Sequence, residues 1–492
     1  MKSSSHAGTA NTMSTLLRPR GPILAAALLL LSGCASVGRD YERPQLELPA
    51  EWSGAEADPH EVEQELEGQW WRRFDAPRLD ELVQRALAHN RELGGALARL
   101  ERARALRSGA RADELPSVTG RGAYEHRRES SNTPFGAFIP RTNIHTLALD
   151  AAWEPDLWGR VRRSVEAADR ELAASEHDVR AVGVAVAAEV ARNYVELGSV
   201  RQRLRIAQAN VELQERTLAL VRSRAEAGLV GPRDVAQATA SVEATRARLP
   251  QLRASASIAA HRLAVLVGAE PGALEQELAD IDTTPRTPPS LVMGVPADLL
   301  RRRPDIAAAE QRLAAEVARI GIQESELYPR LVLGGTLGLS SNGSADLLDS
   351  DSDFLGLGPS LSWKIFAGGR IRAAIRAQEA RVVEAQLAWE DGVMRALEEA
   401  ENALVSFVLE QERRRTLEGA ATQARRAVEL AQTQYREGLT DFQAVVDSQR
   451  VVAGLEDELA QSDSAVTGFA IALYKALGGR FDSLESRLTA AR

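Results

Sequence analysis

Between residues 331 and 341 the sequence LVLGGTLGLSS alternates along its length. Leu331, Leu333, Gly335, Leu337 and Leu339 share one face of an extended chain, and Val332, Gly334, Thr336, Gly338 and Ser340 share the other. FLGLGPSLSW (354–363) repeats the pattern, with Leu355, Leu357, Leu361 and Trp363 opposite glycine and serine. NIHTLALDAAW sets Leu147, Leu149 and Trp153 against Thr146, Ala148 and Asp150. A period of two with apolar residues against small and polar ones predicts transmembrane strands around a water-filled barrel. A sheet covering a soluble core is the alternative. The long acidic segment NGSADLLDSDSD (342–353) suits an extracellular loop and favours the membrane reading.

After each strand pair the period changes. Proline is absent between Pro155 and Pro232, and apolar residues follow spacings near four and three: Val161, Val165, Ala168, Leu172, then Val179, Val182, Val186. This predicts one helix from Arg160 to Glu226, about 100 Å long, paired as in a coiled coil. No proline follows Pro359, and a matching rod is expected from Arg370 to about Glu437. Each rod ends at a glycine, in EAGLVGPRD or REGLTDFQA, as helix C-termini do. A return helix then runs to Gly268 or Gly478, with a kink expected at Pro250 but not at its counterpart Ala460.

These elements come twice. Glu92, Leu93, Leu100 and Pro116 match Asp305, Ile306, Leu313 and Pro329, each 213 residues later. Beyond the next loop the offset is 210, pairing Trp153 with Trp363, Gly159 with Gly369, Arg160 with Arg370, Gly228-Leu229 with Gly438-Leu439 and Gly268 with Gly478. A register held across most of the chain is an internal repeat. It replaces the prior of about three ordinary domains for this length. The expected division is a first repeat over 79–284, a linker over 285–295 containing PRTPP, a second repeat over 296–480 and a tail over 481–492.

Ahead of the repeats, Arg18 and Arg20 precede ILAAALLLLSG, too short to span a bilayer and suited to a signal peptide over 1–33. It ends in Leu31-Ser32-Gly33-Cys34, and Cys34 is the only cysteine. The run resembles a bacterial lipoprotein signal, in which the thiol takes a diacylglyceryl group. Ala35, where aspartate would favour inner-membrane retention, implies the outer membrane. Residues 34–78 read as a lipidated, extended arm whose WWRRF (70–74) packs against the body.

Composition adds little except exclusions. Aromatic content of 4% suits closely packed helices, and a net charge of −9 gives no reason to expect nucleic acid. His6, His60, His89, His126, His145, His177 and His261 are scattered without HExxH or other paired-ligand spacing. GxSxG and a P-loop are missing. An enzyme is not expected, nor any cofactor beyond the lipid on Cys34.

The lipobox, the tandem repeat, the Trp-x(5)-Gly-Arg junctions and the Gly-Leu turns together resemble the outer membrane efflux protein family. Within it they are similar to TolC-like lipoproteins of resistance-nodulation-division (RND) pumps. The resemblance implies a mainly α protomer with four transmembrane strands. Three copies would form a 12-stranded β-barrel and a periplasmic α-helical barrel. Part of this follows from physics: four strands cannot close a pore, open edges are not tolerated in lipid, and eight leave an interior filled by side chains. A trimer is the smallest assembly wide enough for a conduit.

The implied function is the exit duct of a tripartite efflux pump, fed by a periplasmic adaptor (membrane fusion) protein and an inner-membrane RND-type transporter. Type I protein secretion and a periplasmic coiled-coil adaptor or scaffold are the alternatives. Trp153 and Trp363 are expected at the membrane interface. Gly159 and Gly369 would turn the chain there, with Pro155, and Arg160 and Arg370, with Arg162 and Arg372, would meet outer membrane lipid phosphates. The turns Gly228-Leu229 and Gly438-Leu439 would receive the adaptor. By the same resemblance Tyr435 belongs to a link network closing the aperture and Asp447 to a carboxylate ring, with Arg450 one turn on. Thr440 and Ala444 stand where some members have arginine and a second aspartate, implying a single ring and fewer links.

Overall fold

The computed structural model describes residues 36–46, 69–130, 132, 133, 138, 141–287 and 303–478. The signal peptide, Cys34, residues 288–295 of the linker and the 481–492 tail lie outside the described residues. The elements run α1 (Pro77–His89), α2 (Arg91–Ala112), β1 (Ser117–Arg127), β2 (Thr142–Trp153), α3 (Arg160–Glu226), α4 (Pro232–Arg246) and α5 (Arg248–Leu266) in the first repeat. The second has α6 (Pro304–Ser325), β3 (Arg330–Ser341), β4 (Asp353–Ser362), α7 (Arg370–Arg436) and α8 (Phe442–Leu477). The rods are therefore single helices with the expected bounds. The first return helix is broken at Ala247, three residues ahead of Pro250, whose missing N–H cannot serve the Arg246 carbonyl. Its counterpart α8 runs unbroken for 36 residues.

The repeats are not the compact units. One unit holds the described residues up to Asp40, Ala110–Val165 and Ala318–Ala377, so both repeats contribute to it. It contains an antiparallel sheet in the order β1-β2-β3-β4. In register, Leu147 faces Leu339, Leu149 faces Leu337, and Leu337 faces Leu355. This apolar face is open: Leu149 is 54%, Leu337 55% and Leu357 78% exposed. The opposite face is polar. Asp150 accepts a 2.7 Å hydrogen bond from Thr336 and pairs with Arg121 at 3.4 Å. A soluble core sheet would bury its leucines, so this is a sheet built for lipid on one face and water on the other.

The other unit is helical. Its core gathers Leu79, Leu82 and Val83 of α1, Leu93 and Leu100 of α2, the Val179–Val200 stretch of α3 and Leu263 of α5. The WWRRF segment forms a short 3-10 turn with Trp70, Trp71 and Phe74 buried, and Trp70 stacks on Tyr474 of α8 at 5.3 Å. It packs the arm, as expected. Further up the arm, Arg43 pairs with Glu310 at 2.7 Å.

Both repeats close on themselves the same way. Asn90 accepts from the amides of Glu92 and Leu93 at the start of α2 and donates to the Leu266 carbonyl at the end of α5. Arg303, its counterpart, donates to the Ala476 carbonyl near the end of α8, and is paired with Asp305 and Glu399. Lys475 also holds Glu399 at 2.8 Å. Burial alone would raise both carboxyls, but hydrogen bonds from Arg303 to Asp305, and from Lys475 and Arg303 to Glu399, hold them below their ordinary values. Their contribution is complete above the ordinary carboxylate range and is lost as the pH falls through the depressed folded values. Asn90→Ala removes both caps and should cost about 1–3 kcal/mol in denaturant unfolding. Asn90→Asp keeps the two amide bonds and should lose less, and equal losses would show that only the Leu266 bond matters.

Candidate functional site

The second strand of each repeat, β2 or β4, leads to a tryptophan that bonds the turn ahead of the first strand. The Trp153 indole donates to the Glu114 carbonyl at 3.0 Å and the Trp363 indole to the Leu327 carbonyl at 2.9 Å. These are equivalent bonds in the two repeats, since 114 and 327 share the 213-residue offset. Gly159 and Gly369 both have positive φ, +81° and +82°, which the turn into α3 and α7 requires.

Past the tryptophans the junctions differ. At the first, Arg160 makes a bidentate pair with Glu154 at 2.9 Å, and Arg330 of β3 joins the same carboxylate at 2.7 Å. Burial would raise Glu154, but the arginine hydrogen bonds hold it below the ordinary carboxylate range. Asp156 caps α3, accepting from the amides of Val161 and Arg162 at 3.1 and 2.9 Å. The Arg160 guanidinium, read from sequence as a phosphate contact, is thus engaged within the chain. Arg370 has no ion pair among the described residues.

The first junction also receives the N-terminal arm. The Val37 amide donates to the Trp158 carbonyl, and buried Arg163 donates to the carbonyls of Val37 and Gly38 and pairs with Asp40 at 2.9 Å. A Cβ on Gly321 would lie 2.6 Å from the Val37 oxygen, and one on Gly159 2.5 Å from Ser36 Oγ. The arm is therefore clipped down two residues after Cys34. Arg163, Gly38 and Gly321 were missed in the sequence, where the only signal was an unexplained glycine in α6.

At the other ends of the rods the turns are Schellman motifs. Leu229 N–H bonds the Arg224 carbonyl and Gly228 N–H the Ala225 carbonyl; Leu439 and Gly438 repeat this with Gln434 and Tyr435. Gly228 and Gly438 have φ of +72° and +75°, and Leu229 and Leu439 are exposed. Beneath them Leu218, Val221, Val242, Tyr435, Phe442, Val445 and Val446 form a small core.

Tyr435 is 3% exposed, and its hydroxyl has no hydrogen-bond partner among the described residues. The Tyr435 ring lies 4.8 Å from the Arg224 guanidinium, and its carbonyl accepts from the same guanidinium. Asp447 is exposed, accepts from Gln443 at 2.9 Å and stands 3.5 Å from Arg450.

The family's sequence profile, described as outer membrane efflux protein, matches residues 82–269 and 295–479, one span in each repeat. The chain belongs to the outer membrane efflux protein family. Nodulation protein T of Rhizobium leguminosarum bv. trifolii is 30% identical over 88% of this chain and 92% of its own length. The pyoverdine export outer membrane protein OpmQ of Pseudomonas aeruginosa is 31% identical over 94% of this chain and 97% of its own. Among solved structures, the outer-membrane channel OprN superposes with a TM-score of 0.80 at 35% identity, over 90% of this chain and 99% of OprN. VceC of Vibrio cholerae does so at 0.77 and 28% identity, over 83% of this chain and 98% of VceC. The protein is thus an outer membrane efflux channel of the OprJ and OprN type, with its open leucine face in the membrane and its rods in the periplasm.

The channel's two tips are sensitive to backbone conformation alone. A Cβ at Gly438 would meet nothing nearer than Arg224 Nη2 at 3.9 Å. Gly438→Val should therefore destabilise only through the left-handed backbone, by about 1–2 kcal/mol, and Gly438→Asn by clearly less. Thermal melting of the detergent-extracted protein checks this, and an asparagine variant as unstable as the valine one would mean the space is tighter than the structure shows.

Proposed function

We propose that the protein is the exit duct of a tripartite efflux pump: a homotrimer that passively conducts small molecules delivered by a periplasmic adaptor and an inner-membrane RND-type transporter. The observation that carries this reading is an apolar stripe along α7 with nothing against it. Val383, Leu387, Met394, Val405, Leu409 and Leu430 are all exposed. At 100° per residue they fall within about 80° of one another. Val382, Trp389, Val393, Ala396, Ala400 and Phe407 occupy a separate, buried face of the same helix.

In α3 the positions matching Met394 and Val405 are Val184 and Val195, and both are buried. At these two positions α3 is covered within the protomer, and α7 awaits an equivalent neighbour. Left in water, each such side chain forgoes roughly 1.5–3 kcal/mol. A second copy on this edge, repeated round a closed ring, supports the trimer. The exposed Gly228-Leu229 and Gly438-Leu439 turns are the adaptor's docking points on this reading, and acyl chains on Cys34 anchor the arm.

Three-fold symmetry would bring three Asp447 carboxylates together at the aperture and create a cation site. In planar bilayers a multivalent cation should block the wild-type current, and Asp447→Ala should abolish the block. Arg224→Ala, which releases Tyr435, should raise the resting conductance, whereas Tyr435→Phe should leave it near wild type. Identical block in wild type and Asp447→Ala would remove Asp447 from the aperture. For the anchor, metabolic labelling with palmitate should mark the wild type and not Cys34→Ser; an unlabelled wild type would overturn the lipidation assignment.

A further inference from the structure

The two strand-to-helix junctions descend from one repeat, so each serves as the control for the other. In the first, WEPDLWGR supplies its own acids: Glu154 neutralises Arg160, and Asp156 both caps α3 and pairs with Arg162 at 3.3 Å. In the second, WKIFAGGR, those two positions are Lys364 and Phe366. Lys364 pairs with Glu326, but Arg370 and Arg372 have no ion pair among the described residues, and the first acid within the helix itself is Glu379. The amides of Ile371 and Arg372, matching those that Asp156 caps, lie in the first turn, where no helical acceptor exists.

The surroundings differ in the same sense. Gly159 is covered by Ser36, while nothing lies within 4 Å of a Cβ at Gly369. Trp363, Ile365 and Phe366 are 56%, 81% and 91% exposed. Trp363 lies on the same face as Leu355, Leu357 and Leu361, so this apolar surface continues the membrane-facing side of β4. Apolar side chains beside uncompensated arginines, at the edge of a lipid-facing surface, match an anionic phospholipid: acyl chains against Ile365 and Phe366, phosphate at Arg370 and Arg372.

We infer that the second junction is a binding surface for the headgroup of an anionic phospholipid, occupying the place that the Asp156 carboxylate fills in the first. This rests on the membrane channel reading but not on the pump. The test is native mass spectrometry of the detergent-extracted full-length protein titrated with phosphatidylglycerol or phosphatidylcholine. Wild type should retain about one phosphatidylglycerol per chain and little phosphatidylcholine. Arg370→Gln/Arg372→Gln should lower retention about tenfold. Phe366→Asp, which restores the first junction's acid, should do the same, while Arg162→Gln should not.

Equal retention by wild type and Phe366→Asp would overturn the proposal. So would displacement of the lipid by inorganic phosphate, which would make the ligand a free anion. Variants that lose their oligomer while the remaining oligomers keep their lipid would show a second copy covering this surface, which also overturns it. Conductance in planar bilayers reports on the duct and lipid count on this surface, so failure of either reading can be told from failure of the other.

Discussion

A backbone in hydrocarbon must satisfy every N–H and C=O within protein, and this one requirement organises the molecule. The four strands pair in the order β1-β2-β3-β4, which leaves β1 and β4 each with an unpaired edge. The sheet's leucine face commits those edges to lipid depth, where water cannot serve them. Closure by further copies is the remaining solution, because the chain has no other strand among its described residues. The same oligomerisation demand appears independently in the helical unit, where α7 leaves an apolar stripe open, Met394 and Val405 in it exposed although their α3 counterparts are buried.

The tandem repeat explains why one protomer has one satisfied rod and one unsatisfied rod. The duplicated helices share part of an apolar face, with Val184 and Val195 matching Met394 and Val405. Within one protomer, however, Val184 and Val195 of α3 are buried while Met394 and Val405 of α7 are exposed. The exposed Val405 is therefore a statement about assembly, since its buried twin Val195 is the same residue type. Each compact unit draws on both repeats, so the repeat is a unit of sequence while compactness follows the strands and the helices.

Much of the backbone was legible in the sequence because punctuation residues act locally. Gly159 and Gly369 open the rods and Gly228 and Gly438 close them, each through a positive φ that other residues resist. Strands β2, β3 and β4 announce themselves by alternation. Strand β1 is fainter, since Gly120 and Gly122 interrupt its apolar face. Long-range pairings were not legible. The hold of Arg163 on Val37 spans 126 residues, and that of Arg224 on Tyr435 spans 211. An arginine on a helix reads as a solvated face until the fold brings a carbonyl to it.

Where the repeats keep their apolar pattern but exchange polar partners, the task is kept in some places and lost in others. Asn90 and Arg303 show an exchange without change of task, for both clip the end of a return helix. Arg224 and its counterpart Gln434 show the opposite. Arg224 crosses to the other repeat and holds the last turn of α7 by carbonyl and ring, while no reciprocal contact ties Gln434 to the first tip among the described hydrogen bonds. With Gln237 and Gln443 also bonded across α4 and α8, the two tips are joined by polar contacts above a shared apolar core. The exposed Asp447–Arg450 pair lies within α8 and joins nothing across the tips, so it is this core and Arg224 that resist their separation. Any motion of one tip must therefore either carry the other with it or first break the Arg224 contact.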